Sequence, residues 1–328
     1  MIIVTIKIGM VGTGGFSKKH ADILMEMNHV RVVAVCGTSE EKAKRFAEQY
    51  DGMKGYRDFY EMLNNETLDG VFLCVPPMAH GEMELALVER GIPFFVEKPL
   101  GITTAMPKKV VDALEKSPVV TSVGYHFRYL ESIQYLKRLL KDHTVGMVTG
   151  RWIGAMPEVS WWRNQALSGG QLNEQATHIA DVLRYLLGEG EEVNTFEAQR
   201  VMNQQKENVT VADVSTVNIR FTSGIIANIV NTCVLTEGLD DVGITMYTGS
   251  AVIDWTSKAL TIKTGKVEDV VVDYQDPYQQ EDLIFVQAIK SGSEAQILST
   301  YQDAFNTQRL TEAASVSVEE NKSIRLND

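Results

Sequence analysis

The apolar positions in the first third of the chain fall into short continuous runs separated by stretches with helical spacing. "TIKIGMVG", "VRVVAVCG", "LDGVFLCVP" and "PFFVEKP" are the runs; "KKHADILMEM", "SEEKAKRFAEQY" and "HGEMELALVERG" are the spacers. A further helix, "MPKKVVDALEKS", leads to a strand in "VVTSVGYHF". Strands apolar on both sides and alternating with helices predict a parallel sheet covered on both faces, with right-handed crossovers. "MIIVTIKIGMVG" runs into a glycine-rich turn with no basic segment before it, and reads as a first buried strand rather than a leader.

After about residue 123 the pattern changes. The helical stretches "ESIQYLKRLLKD" and "GGQLNEQATHIADVLRYLLG" precede strand-length runs: "EVNTFEAQRVM", "DVSTVNIRF", "GIIANIVNTCVL", "VGITMYTG", "AVIDWTS", "ALTIKTG" and "VEDVVVDY". Tight turns between them, such as "TSG" at 222–224, predict an antiparallel meander. The chain closes with helices in "QEDLIFVQAIKSG" and "YQDAFNTQRLTEAASVS". The expected fold is α/β, a doubly wound domain over 1–123 followed by an α+β domain over 124–328 with a large, mainly antiparallel open sheet. The last helix is a candidate to pack back on the first domain.

Composition narrows the function. A chain of 328 residues with 44% hydrophobic and 23% charged residues suits two globular domains. A net charge of −12 and no basic block argue against nucleic acid or an anionic membrane as partner. The apolar runs are too short to span a bilayer. Cys36, Cys74 and Cys233 are scattered with no C-x-x-C, so neither zinc nor a disulfide framework is suggested, and a reducing cytoplasm is expected.

Chemistry first shows at "GTGGFS", between the first strand and the first helix. Gly12 and Gly14 fill the first two places of G-x-G-x-x-G, and Ser17 takes the third. A tight turn and bare backbone let a pyrophosphate approach a helix N-terminus, which identifies a Rossmann dinucleotide site with Gly12, Thr13, Gly14, Gly15 and Phe16 as cofactor-binding residues. The second strand ends in "VCGTSEEK", with Gly37 where an acid for the ribose would be expected. Thr38, Ser39 and Lys42 suit a 2′-phosphate, so NADP is favoured; Glu40 or Glu41 could restore the acid, which leaves NAD as the alternative. Val75 and Pro76 end the third apolar run on the ligand side, and His80 opens the next helix, where capping or packing competes with contact to the cofactor. Glu97 and Lys98 end the next strand, where charged residues point to a working edge.

Together, "GTGGFSKKH", "CVPPMAH", "VEKPLG", "VGYHFRY" and "GGQLNEQATHIADVLRYLLG", in this order, resemble the Gfo/Idh/MocA oxidoreductases, the family of glucose–fructose oxidoreductase and inositol dehydrogenase. The closing helix also resembles that family's last helix, so the likeness spans the chain. The resemblance implies a nicotinamide-dependent dehydrogenase acting on a sugar, polyol or related alcohol. It places Lys98 near nicotinamide and substrate, makes Lys98–Pro99 a candidate cis bond, and maps the family's Asp and His to Glu174 and His178.

Helical spacing agrees: Glu174, His178, Asp181 and Tyr185 share one face, and Ile179, Val182, Leu183 and Leu186 another. A solvated polar face is the plain reading of such a row; Lys98 and the resemblance favour a site. His178 suits a general base, since imidazole titrates near neutral pH, and Lys98 suits an alkoxide. Glu174 would orient His178 or hold a hydroxyl, but its extra methylene over Asp leaves direct participation open. Glu-x-x-x-His with no clustered third ligand does not predict a metal. Tyr125, Arg128, Trp162 and Arg163 are candidate substrate contacts, with Tyr125 and Trp162 read equally well as core anchors. Two further readings are a non-catalytic nucleotide sensor of the same fold and an assembly protein. Apolar runs in the meander predict a homodimer or homotetramer through the C-terminal sheet.

Overall fold

The structure, a computed structural model, describes residues 5–326. It divides into two compact units. The first takes in residues up to Leu100, Ala105–His126 and Pro277–Asp303; the second Gly101–Thr104, Phe127–Asp276 and the chain from Ala304 onward.

In the first unit the strands are β1 (Ile6–Val11), β2 (Val30–Cys36), β3 (Lys54–Tyr56), β4 (Gly70–Leu73), β5 (Phe94–Val96) and β6 (Thr121–Val123). Residues 1–4 of the expected first strand lie outside the described residues. The helices are α1 (Gly15–Glu26), α2 (Glu40–Ala47), α3 (Phe59–Asn65), α4 (Glu82–Arg90) and α5 (Ala105–Lys116). The sheet is parallel in the order β3-β2-β1-β4-β5-β6, the doubly wound arrangement the apolar runs predict. Ile8, Met10, Val32, Val35, Phe72 and Phe95 are buried in its core. Burial of each such side chain contributes roughly 1.5–3 kcal/mol.

Register sets the working edge. Val11 pairs with Cys36 and with Leu73, Leu73 with Val96, and Val96 with Val123. The strands therefore end level, and Gly12, Gly37, Cys74, Glu97 and Gly124 leave the sheet together. Ligands of open α/β sheets bind at this carboxyl edge. The first unit also holds a helix from late in the chain, α10 of the whole molecule, Pro277–Ser291. Its Phe285 meets Phe72 and Phe95, ring centroids 5.4 and 6.0 Å apart. The strand–helix alternation of the first 123 residues gives no signal for this return.

The second unit continues the numbering with helices α6 (Glu131–Leu139), α7 (Gln165–Ser168), α8 (Thr177–Leu187), α9 (Met202–Gln205) and most of α11 (Tyr301–Glu320). Its strands are β7 (Val145–Ile153), β8 (Gly190–Ala198), β9 (Val214–Phe221), β10 (Ile226–Thr232), β11 (Asp241–Thr248), β12 (Val252–Thr256), β13 (Leu260–Thr264), β14 (Val267–Val271) and β15 (Ile324–Arg325). They form one sheet, β14-β13-β12-β11-β7-β10-β9-β8-β15, antiparallel except where β10 runs parallel to β7.

The helical and strand patterns miss β7, which sits centrally in that sheet. "VGMVTGRWI" alternates poorly because Gly146 and Gly150 break the apolar count. At Gly150 the reason is packing: a Cβ there would stand 2.6 Å from the Ile179 methyl, so only glycine lets α8 lie on β7. The expected strand "EVNTFEAQRVM" ends at Ala198, and Met202 begins the short α9. Three consecutive backbone amides, of Arg200, Val201 and Met202, donate to the buried Asp213 carboxylate, which pulls the chain out of the sheet.

Candidate active site

At the working edge of the first unit, Gly12 has φ of 109°, and a Cβ on it would meet the Cys74 carbonyl oxygen at 2.2 Å. Gly14 caps α1 without a side chain, and a Cβ on Gly14 or Gly15 would meet nothing within 4 Å. The first turn of α1 carries no acid. A bare, acid-free helix N-terminus beside a close turn fits a dinucleotide pyrophosphate, with Thr13 and Phe16 flanking it. Ser17 is fully buried, in keeping with its small size at the third fingerprint position.

At the end of β2, Gly37 is buried, with Thr13 and Ala43 each about one tight contact from where its Cβ would be, 3.0 and 3.1 Å. A side chain at 37 would therefore have to push Thr13 or Ala43 aside. Ser39 caps α2 by accepting from the Lys42 amide at 3.2 Å, and Lys42 Nζ donates to Thr38 Oγ1 at 3.3 Å. The sequence-predicted trio is thus brought together. Glu41 pairs with Arg45 on the exposed face of α2.

Beyond β4, both ring nitrogens of His80 are engaged, one with Glu84 at 2.6 Å and one with the Val75 carbonyl at 3.1 Å. This ties the Val75–Pro76 loop to α4, a packing role. Beyond β5, Glu97 is buried and meets His20 at 2.9 Å, while Lys98 is half-buried and joined to Pro99 by a cis bond. Tyr125 is 1% exposed. His126 stacks on Tyr278 at 4.2 Å, and Lys19 Nζ lies 3.3 Å from the same ring's centre. Burial, then the charges of Lys98, Lys19 and His20, pull the His126 pKa down to about 3, so this imidazole is a neutral group. Tyr278 does not stand out by motif, and His20 closes "GTGGFSKKH" with no role read for it; each needs the return of α10 to acquire meaning.

In the second unit, the polar row resolves into separate roles. Gly169 and Gly170 take φ of 76° and 88°. They turn the chain so that Asn173 donates to the Ser168 and Gly101 carbonyls at 2.9 and 3.0 Å. Leu172–Ala176 is a π-helical turn ahead of α8, where an unbroken α-helix is expected from spacing. Such bulges re-aim side chains and recur at functional sites. Glu174 lies in it, 9% exposed, and His178 one turn on at 6%. The His178 ring lies flat against Trp152, 5.6 Å between centroids at 17°, with Phe127 at 5.2 Å. Trp152 stands on β7, and missing that strand hides it from the sequence.

Asp181 does other work. It accepts from Arg128 Nε and Nη2 at 2.7 and 2.6 Å and from the Thr307 hydroxyl at 2.7 Å, all buried. Arg128 is 2% exposed, so its guanidinium is held by Asp181, and the structure gives it a place in the core of this unit. Asp181→Asn would remove the charge that faces that guanidinium and is expected to cost about 3–5 kcal/mol, read by urea unfolding. Unchanged stability would show the pair to be dispensable. Trp162 is also buried, packed with Met156, Met202, Val211 and Cys233. Arg163 contacts the Glu158 carbonyl and carboxylate at 3.2 Å.

Residues 6–125 match the description "oxidoreductase family, NAD-binding Rossmann fold", and 133–252 match the "GFO/IDH/MocA C-terminal domain". The chain belongs to the Gfo/Idh/MocA oxidoreductase family. It is an NAD(P)-dependent oxidoreductase acting on CH–OH groups. It is 24% identical to myo-inositol 2-dehydrogenase of Thermotoga maritima, over 98% of this chain and 99% of that protein. It is 26% identical to inositol 2-dehydrogenase of Salmonella typhimurium, over 88% and 87%. The structure of levoglucosan dehydrogenase in complex with NADH and L-sorbose shares the fold, with a TM-score of 0.88 at 18% identity over 98% and 99% of the two chains.

Proposed function

We propose that this enzyme interconverts a ring alcohol and ketone of a sugar or inositol-like polyol, with Lys98, His178 and Glu174 acting on the substrate. The observation that carries the reading is Lys98, set half-buried at the same sheet edge as the Gly12–Gly14 turn. A nicotinamide bound at this edge would supply the hydride acceptor or donor for the carbinol carbon. His178 removes the hydroxyl proton from the carbinol and returns it in the reverse direction. Its flat seat on Trp152 holds the imidazole plane fixed while the proton moves. Lys98 donates a hydrogen bond to the oxygen as negative charge grows there. Glu174 binds a neighbouring hydroxyl or orients His178. Tyr125, Trp162 and Arg128 are buried within their own units, whereas partly exposed Arg163 is the candidate for reaching a polar substrate edge.

For the cofactor, the cluster of Thr38, Ser39 and Lys42 favours NADP, since two hydroxyls and a cation suit a 2′-phosphate better than two ribose hydroxyls. Fluorescence titration of nucleotide-free protein is expected to show NADPH binding about tenfold or more tighter than NADH, a difference of about 1.4 kcal/mol. Lys42→Ala should remove most of that gap. Tighter NADH would return the role to Glu40 or Glu41 and keep the enzyme.

We also propose that a second copy covers the open face of the larger sheet, giving a homodimer or homotetramer. Ile226, Met147, Tyr247 and Val252 are exposed and lie side by side across four strands, a continuous apolar row. Light scattering returning a monomer at all concentrations would contradict this. Among the described residues no helix is long and apolar enough to cross a membrane, and the three cysteines are unpaired. These support a cytoplasmic location.

A further inference from the structure

His20 is fully buried in α1, and both its ring nitrogens face carboxylates. Nδ1 meets Asp282 of α10 at 2.8 and 3.0 Å, and Nε2 meets Glu97 at 2.9 Å. A neutral imidazole has one N–H and would turn a lone pair toward one of these anions, so the ring donates to both as a cation. The two carboxylates hold its pKa well above the usual range against the opposing effect of burial. Phe72, Phe95 and Tyr278 surround the ring at 5.5, 5.0 and 6.0 Å. Beside it, Glu281 is fully buried with neither carboxylate oxygen hydrogen-bonded. Burial and the Glu97 charge push its pKa well up, so it stays protonated and adds no third anion. His20, Glu281 and Asp282 lie within metal-ligand reach of one another, but both nitrogens of His20 are already engaged.

We infer that His20 is a positioning residue for Lys98: gripped by Glu97 on one side and Asp282 on the other, it fixes the end of β5 against α1 and α10. Glu97 is the residue immediately before Lys98, so a fixed Glu97 carboxylate restricts where the Lys98 backbone can go. A clasp of this kind is costly to bury, and its two charged partners hold the ring in one geometry. The inference rests on the substrate role assigned to Lys98 above.

The test is a double-mutant cycle on the full chain, using NAD(P)+ and a polyol that turns over. His20→Gln is expected to lower kcat about 100-fold, the scale of a small misplacement of a reacting group. Substrate KM and cofactor Kd should each stay within about threefold, since neither ligand loses a contact. Asp282→Asn, which keeps the shape but weakens the grip, should lower kcat about tenfold, and it serves if His20→Gln fails to fold. Lys98→Met alone should lower kcat about 10²–10³-fold. Adding His20→Gln to Lys98→Met should then cost less than about twofold more, because a positioning residue has nothing left to position. Full turnover in both His20→Gln and Asp282→Asn, or a further 100-fold loss on top of Lys98→Met, would overturn the inference while leaving the Lys98 role intact. Full turnover in Lys98→Met would instead remove the catalytic reading itself, and the inference with it.

Discussion

Replacing His178 by Gln is expected to lower kcat roughly 10²–10⁴-fold, the usual contribution of a positioned general base. The protein should still fold, because Gln approximates the imidazole volume and can keep contact with Trp152 and Phe127. Cofactor affinity should stay within about threefold, since no cofactor-binding role is assigned to His178. The discriminating readout is the pH profile. Loss of the base should flatten the acid limb of kcat/KM in the oxidation direction, and solvent hydroxide should raise the residual rate at high pH. A variant that kept its rate and its profile would transfer the proton to another group. Glu174 would be the first to test, because it is buried and stands one turn before His178 in the chain.

Gly12→Ala is expected to be the most damaging change at the nucleotide end. The new methyl would fall 2.2 Å from the Cys74 carbonyl, and the backbone at φ of 109° disfavours any side chain. Strain of this kind costs on the order of 1–3 kcal/mol before the clash is counted. Thermal unfolding should fall by several degrees, and NAD(P)H fluorescence enhancement should be lost. Gly14→Ala separates the two effects. Its Cβ would meet no protein atom within 4 Å, so stability should be preserved. A methyl at the helix entrance should nevertheless weaken dinucleotide binding about tenfold or more, because the pyrophosphate needs the bare backbone there. Equal cofactor affinity in Gly14→Ala and wild type would place the pyrophosphate elsewhere.

The parallel sheet was legible because its strands are apolar on consecutive positions and its helices are spaced at three and four. The turn "GTGGFS" was legible because close backbone packing leaves glycine as its signature. The candidate site in the second unit was half legible. Glu174 and His178 show as polar residues one turn apart, but periodicity groups Asp181 with them, although Asp181 closes a buried pair with Arg128. A single sequence cannot tell a carboxylate that faces a ligand from one that faces an arginine 53 positions away. Trp152 went unseen because Gly146 and Gly150 break the apolar pattern of β7, and the packing of α8 requires Gly150. The His20 clasp was out of reach for a different reason. Its partners lie 77 and 262 residues from it, and the pattern of the first 123 residues gives no hint that α10 returns to cover their sheet.

The most direct test of dehydrogenase activity on ring alcohols is nicotinamide reduction followed by absorbance at the reduced-cofactor band. Purified protein would be mixed with NADP+ or NAD+ and, in turn, myo-inositol, other inositols and aldose sugars. Cofactor reduction is expected with at least one of these alcohols, slowed about 100-fold or more by Lys98→Met and by His178→Gln. Cofactor binding without turnover across the panel, unchanged in both variants, would contradict it and leave a protein that reads the nucleotide without using it.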